Sequence, residues 1–220
     1  MRFRDRVEAG QQLALRLMEW ASDGELPDAV VIALPRGGVP VAAQVARALG
    51  TRLDVLVVRK IGVPGRPEAG IGAIVGDDPP LFDSRALQML GLSEDRLAPD
   101  VERERAELRR RALLYRGDPS TPDVEQRTVI LVDDGLATGA SARAALRHLR
   151  RRHPARLILA VPVGAPESCV EMRAEADDVV CLYQPRDFQA VGLWYEDFEQ
   201  VGDDEVRGIL REHSAAMHGG

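Results

Sequence analysis

The stretch "TVILVDDGLATGASA", Thr128 to Ala142, decides how the rest of the chain is read. Its first five residues, Thr128–Val132, form an apolar, β-branched run of the kind that builds a strand buried on both faces. Two adjacent aspartates follow, Asp133 and Asp134, and neighbouring carboxylates at a sheet rim repel each other. Small residues then lead through Thr138 and Gly139 to Ser141, and the glycines lose extra conformational entropy on folding. An arrangement this costly implies a bound ligand. Backbone N–H groups converging from Gly135 to Ser141, with Ser141 as the N-cap of a following helix, make a nest for a phosphate. The hydroxyls of Thr138 and Ser141 add donors, and the paired carboxylates suit vicinal sugar hydroxyls. A sugar 5-phosphate with a free diol fits both halves. The loop carries neither G-x-x-x-x-G-K nor G-x-G-x-x-G, which argues against a Walker-type or dinucleotide site.

Four further apolar runs read as strands: "AVVIALP" from Ala29, "LDVLVV" from Leu53, "RLILAVPVG" from Arg156 and "DVVCLYQ" from Asp178. Helical patterns alternate with them, at about residues 3–20, in "VPVAAQVARALG" with Gly50 as its stop, over 84–116, after Ser141, in "PESCVEMRAEA" and in the last segment. This alternation predicts an α/β fold with an open, mainly parallel five-stranded sheet and helices on both faces. Ligands of such sheets sit beyond the carboxyl ends of the strands. Three ends carry conspicuous chemistry: Leu34 enters "PRGG", Val58 enters Arg59-Lys60, and Val132 enters the acid pair. The Gly- and Pro-rich stretch 61–80 offers only Ile71–Val75 as strand, so a mobile hairpin or lid is expected there. The Arg-rich "DVERERAELRRRALLYR" reads as a solvated helix laced by i,i+4 pairs rather than an anion site.

A length of 220 residues suits one α/β domain, and the net charge of −6 speaks against nucleic acid as a partner. No apolar run approaches the roughly 20 residues of a membrane span, and the charged start lacks the apolar core of a leader. Cys169 and Cys181 have no metal-ligand spacing and read as thiols of a reducing, cytoplasmic compartment. Lys60 is the sole lysine of the chain, which otherwise uses arginine.

"VILVDDGLATGAS" resembles the signature of type I phosphoribosyltransferases for PRPP (5-phosphoribosyl 1-pyrophosphate). "LPRGG", "VRKIG" and the tail "DFQAVGLWYEDF" resemble those of a subgroup of small bacterial members. The likeness covers a core of about 28–184, with a lid at 61–80, a helical insertion at 84–116 and a hood or tail at 185–220, in a single domain. It implies that Asp133 and Asp134 hold the ribose hydroxyls, while Gly135, Leu136, Ala137, Thr138, Gly139, Ala140 and Ser141 hold the 5-phosphate. The amides of Gly37 and Gly38 and the Arg36 guanidinium would meet the pyrophosphate, and Arg59 and Lys60 would lead into the lid. Catalysis would then rest on Asp133, Asp134, Arg36 and Lys60. Mg²⁺ would be held mainly through PRPP oxygens, with Asp133 or Asp134 reaching it through water.

The implied reaction moves phosphoribose from PRPP to a nitrogen acceptor, such as a nucleobase, with release of pyrophosphate, or runs in reverse. The alternative is a PRPP-binding regulator without catalysis. Ala137 stands where the 6-oxopurine branch carries an aspartate, and "VPVGAPES" lacks that branch's lysine, so hypoxanthine and guanine are poor candidates. Phe188, Trp194 and Tyr195 are candidates for stacking on the acceptor, or they simply pack the tail onto the core. The resemblance also implies a homodimer, with the 84–116 helices at the contact.

Overall fold

The computed structural model describes residues 2–22, 24 and 26–218. Strand β6 (Thr128–Val132) is buried at every position because it lies mid-sheet with helices on either side. It is flanked by β1 (Ala29–Ala33) and β7 (Arg156–Val163); β2 (Arg52–Val55) and β8 (Asp178–Tyr183) form the edges. All four pairings in the order β2-β1-β6-β7-β8 are parallel. Alternate side chains of β6 serve two cores. Ile130 and Val132 pack with α1 (Arg6–Ser22), α2 (Gly38–Leu49) and Val206 of α7 (Asp203–His218). Val129 and Leu131 pack with α5 (Ala140–Arg150) and α6 (Pro166–Met172). This is the α/β architecture expected from the apolar runs. As expected, α2 ends at Gly50, which adopts left-handed angles (φ 62°).

Three local expectations need correction. The run "LDVLVV" is not one strand: β2 stops at Val55, and at Val58 the chain enters β3 (Val58–Val63) of a separate antiparallel sheet, β3-β4-β5. Leu56 and Val57 are both buried, on opposite cores, so hydrophobicity continues unbroken while the hydrogen-bonding partner changes. The stretch 61–80 does hold a long element, β4 (Arg66–Val75), paired with β3 and with the short β5 (Leu81–Phe82). One of its glycines is there for close approach: a Cβ on Gly72 would lie 2.7 Å from the Phe82 ring and 2.9 Å from the Leu81 carbonyl.

The segment 84–116 is helical as expected, as two helices, α3 (Ser84–Leu90) and α4 (Glu94–Arg116), parted by left-handed Gly91 and an N-cap at Ser93. The Arg-rich part of α4 carries the expected intrahelical pairs, Arg103 with Asp100 and both Arg110 and Arg111 with Glu107. Its other face buries Leu108, Ala112 and Tyr115. Finally, α5 starts at Ala140 with Gly139 as N-cap (φ 73°), so Ser141 lies inside the first turn and caps nothing.

The base of the β3–β4 hairpin is fastened to the core. Arg105 of α4 donates to the carbonyls of Gly76 and Asp78 at 2.8 and 3.0 Å. His148 of α5 is fully buried between Asp78 and the Thr121 hydroxyl. No helix among the described residues is long and apolar enough to cross a membrane.

Candidate active site

The carboxyl ends of β1 and β6 lie side by side, with Ala33 opposite Val132 and the Leu34 amide donating to the Val132 carbonyl at 2.9 Å. That pairing presses the "LPRGG" turn against the acid pair. A Cβ on Gly38 would sit 2.8 Å from the Val132 carbonyl oxygen and 3.0 Å from the Asp133 Cα; one on Gly37 would overlap the Asp134 carboxylate. Both glycines are therefore set by proximity. The Pro35–Arg36 peptide is cis. The Gly38 amide donates to the Leu34 carbonyl at 3.0 Å.

Asp133 and Asp134 are drawn into the protein. Burial pushes the Asp133 carboxyl well above the usual carboxylate range, and the Asp134 charge adds to that; the Asp134 amide, Lys60 and Arg6 pull it back. The amide in question donates to Asp133 Oδ1 at 2.9 Å. Burial also raises Asp134, against the opposing charge of Arg6, whose Nε donates to Asp134 Oδ2 at 2.9 Å. The Tyr195 hydroxyl donates to the Asp134 carbonyl at 2.6 Å, and burial of this phenol raises its own pKa.

Beyond the acids, the loop is stitched to the end of β7. Leu136 is buried, its amide donates to the Val163 carbonyl at 2.9 Å, and its carbonyl accepts from Ala165. Leu136 therefore shapes the loop but offers it no free amide. Ala137 and Thr138 are exposed, and their amides and that of Gly139 meet no protein acceptor among the described residues. The first amides of α5, from Ala140 and Ser141, lack intrahelical acceptors by geometry. These groups line a cleft of about 180 Å³ with Lys60, Asp133, Gly135 and Val191. Val191 closes directly over Gly135, where a Cβ would strike its side chain. A larger hollow of about 350 Å³ around Thr51, Arg52 and Arg127 lies at the other end of the strands and holds no such constellation.

The other expected residues divide. Lys60 is exposed at the cleft, on β3. Arg59 on the same strand turns to α4, where Glu104 Oε2 accepts from its Nε and Nη2 at 2.9 and 2.7 Å. Arg36 lies 3.9 Å from Asp203, whose carboxylate accepts from the Tyr115 hydroxyl at 2.5 Å. Tyr195 is 3% exposed and packed against Phe3 and Phe198, so its ring is core rather than a stacking surface. Phe188 and Trp194 are partly buried against the same cluster. Arg6 was not singled out by any sequence pattern. It sits 128 residues from Asp134, in a segment with no motif, and only the fold brings the two together.

The family described as phosphoribosyl transferase domain matches residues 4–196, a span that holds the acid pair, the cleft loop and the glycine turn. The chain belongs to this family. The phosphoribosyl transferase chain is 43% identical over 210 residues to a provisionally named phosphoribosyl transferase of Mycobacterium tuberculosis H37Rv. The match covers 94% of this chain and 46% of that protein, so the chain spans about half the length of the curated relatives it matches. A crystal structure from Thermus thermophilus is similar over 96% of this chain and 99% of its own, with TM-score 0.78 and 45% identity. A 58-residue segment is 45% identical to a uracil phosphoribosyltransferase of Lacticaseibacillus paracasei, 26% of this chain and 28% of that one.

Proposed function

We infer that this transferase-family protein moves the 5-phosphoribosyl group from PRPP to a nitrogen atom of a small acceptor such as a nucleobase, releasing pyrophosphate, or catalyses the reverse. One observation carries the reading: a partly buried acid pair lies against a glycine turn on one side and opens on the other to a cleft lined by amides unpaired among the described residues. The amides from Thr138 to Ser141, with their two hydroxyls, take the 5-phosphate at the N-terminus of α5. Asp133 and the remaining oxygen of Asp134 accept from the ribose hydroxyls. The Gly37 amide, Arg36 and Lys60 face the pyrophosphate and stabilise the charge that grows on it as the bond at C1 breaks.

No group of three or more His, Cys, Asp or Glu among the described residues could hold a metal by itself. The residues present fit a Mg²⁺ ion carried on PRPP oxygens, with Asp133 touching it through water. When bound, such an ion supplies neutralisation of the phosphate charge. The two free cysteines support a reducing, cytoplasmic setting. Exposed Met89, Leu90 and Leu113 on α3 and α4 support a homodimer contact there.

Calorimetric titration of PRPP, with and without Mg²⁺, tests this reading. Wild-type protein should bind saturably, and Lys60→Ala should bind about tenfold more weakly, as expected for one charge-assisted contact, with an unchanged melting temperature. Pyrophosphate release would then be screened across bases. Binding without release on any acceptor would move the assignment to PRPP binding without catalysis, and no binding at all would overturn it.

A further inference from the structure

Arg6 lies outside every motif of the sequence, yet the acid pair is built around it. Its Nε donates to Asp134 Oδ2 at 2.9 Å and its Nη1 to the Glu199 carbonyl at 2.8 Å. Its guanidinium carbon lies 3.8 Å from the centre of the Phe198 ring and 6.0 Å from that of Tyr195. Only 11% of the side chain is exposed. The cradle is itself tied to the start of the chain: Phe3 N donates to Trp194 O, Glu196 N to Phe3 O and Asp197 N to Arg4 O, at 2.8–2.9 Å. A guanidinium shelved on an aromatic face and bonded on two sides keeps one orientation, unlike a solvated surface arginine.

The consequences fall on Asp134. Its Oδ2 is taken by Arg6 and roofed by the backbone of Gly37, and its amide is closed on Asp133 Oδ1. The groups facing the pair are Arg6 from α1, Lys60 from β3 and the Tyr195 hydroxyl from the tail. We propose that Arg6 is a positioning residue for the acid pair: it fixes Asp134 by one oxygen and leaves the other for a sugar hydroxyl. The sugar clause rests on the phosphoribosyl reading. The hold on Asp134 does not.

The test uses the full chain with Arg6→Gln and Arg6→Lys. Carboxyl ¹³C NMR follows the titration of Asp133 and Asp134 without ligand, and calorimetry follows PRPP binding. In Arg6→Gln the ionisation of Asp134 should move up by about one pH unit or more, the effect of removing an opposite charge. PRPP affinity should fall about tenfold with the charge-assisted bond. Arg6→Lys, which keeps the charge, should restore the titration in part. An arginine that merely braces the fold would lower the melting temperature and leave the titration unmoved, and that result overturns the proposal. If Arg6→Gln does not fold, Arg6→Lys carries the test, since losing the fixed Nε bond should still shift Asp134 upward. If wild-type protein binds no PRPP, the phosphoribosyl reading falls while the titration still judges the role of Arg6.

Discussion

Replacing Gly37 by alanine probes whether the glycine turn and the acid pair form one unit. Gly37 has ordinary right-handed angles (φ −60°, ψ −33°), so any penalty arises from space alone. The new methyl would lie 2.7 Å from the carboxyl carbon of Asp134, against an optimum of roughly 3.5–4.0 Å for carbon pairs. The carboxylate must swing away by about 1 Å to reach that separation, and the fixed guanidinium of Arg6 cannot follow it. Loss of a hydrogen bond between charged groups costs about 1.5–3 kcal/mol. Taking about 2 kcal/mol, a chain of this size should melt roughly 4–8 °C lower. PRPP affinity should fall by about tenfold or more as Asp134 leaves its place.

Gly38→Ala is the comparison. Its methyl would meet backbone, the Val132 oxygen at 2.8 Å and the Asp133 Cα at 3.0 Å, and backbone cannot rotate aside. Overpacking of about 1–3 kcal/mol should outweigh the up to about 1 kcal/mol that alanine gains over glycine in a helix. Thermal melts and PRPP calorimetry on both variants decide the matter. A Gly37→Ala protein that melts with wild type and binds PRPP equally would refute the reasoning.

Two other outcomes follow from buried titratable groups. Burial raises the folded pKa of Asp133 above its unfolded value, so its contribution to stability declines as pH rises through that interval, and at neutral pH its burial is a burden. Asp133→Asn should therefore raise the melting temperature at pH 7 while abolishing PRPP binding, a trade of function for stability; a lower melting temperature would contradict the assigned burial and repulsion. His148 is pushed below its ordinary value of 6.5 by burial, partly opposed by Asp78. The unfolded chain thus takes up the proton first, so stability should fall as pH drops below about 6.5. His148→Gln should flatten that limb of the melting-temperature profile, and an unchanged pH dependence would show that another group is responsible.

Much of the central sheet was legible because β1, β6, β7 and β8 are continuous apolar runs, and the acid pair and cleft loop follow β6 directly in sequence. Legibility ended where partners are distant. Leu56 and Val57 stay apolar across the step from one sheet to the other, so composition cannot mark the change. The glycines of 61–80 looked like disruption, whereas Gly72 serves close packing of β5 on β4. The N-cap went to Gly139 rather than Ser141 because the loop reaches α5 through left-handed angles, which a hydroxyl preference does not reveal. Tyr195 could equally have stacked on a ligand or filled the core, and only its neighbours Phe3 and Phe198 decide. Arg6 had no local pattern at all.

Asp134 is held by Arg6 before the first strand and by Tyr195 after the last, and Phe198 and Glu199 in turn hold Arg6, which bears on where this unit can be cut. A fragment trimmed to 28–184 would retain the acid pair, the cleft loop and the glycine turn and discard the counter-charge that makes two neighbouring, partly buried acids tolerable. Excision, grafting or fusion should therefore respect a span from Phe3 to at least Val206, whose fully buried side chain closes the core under α7.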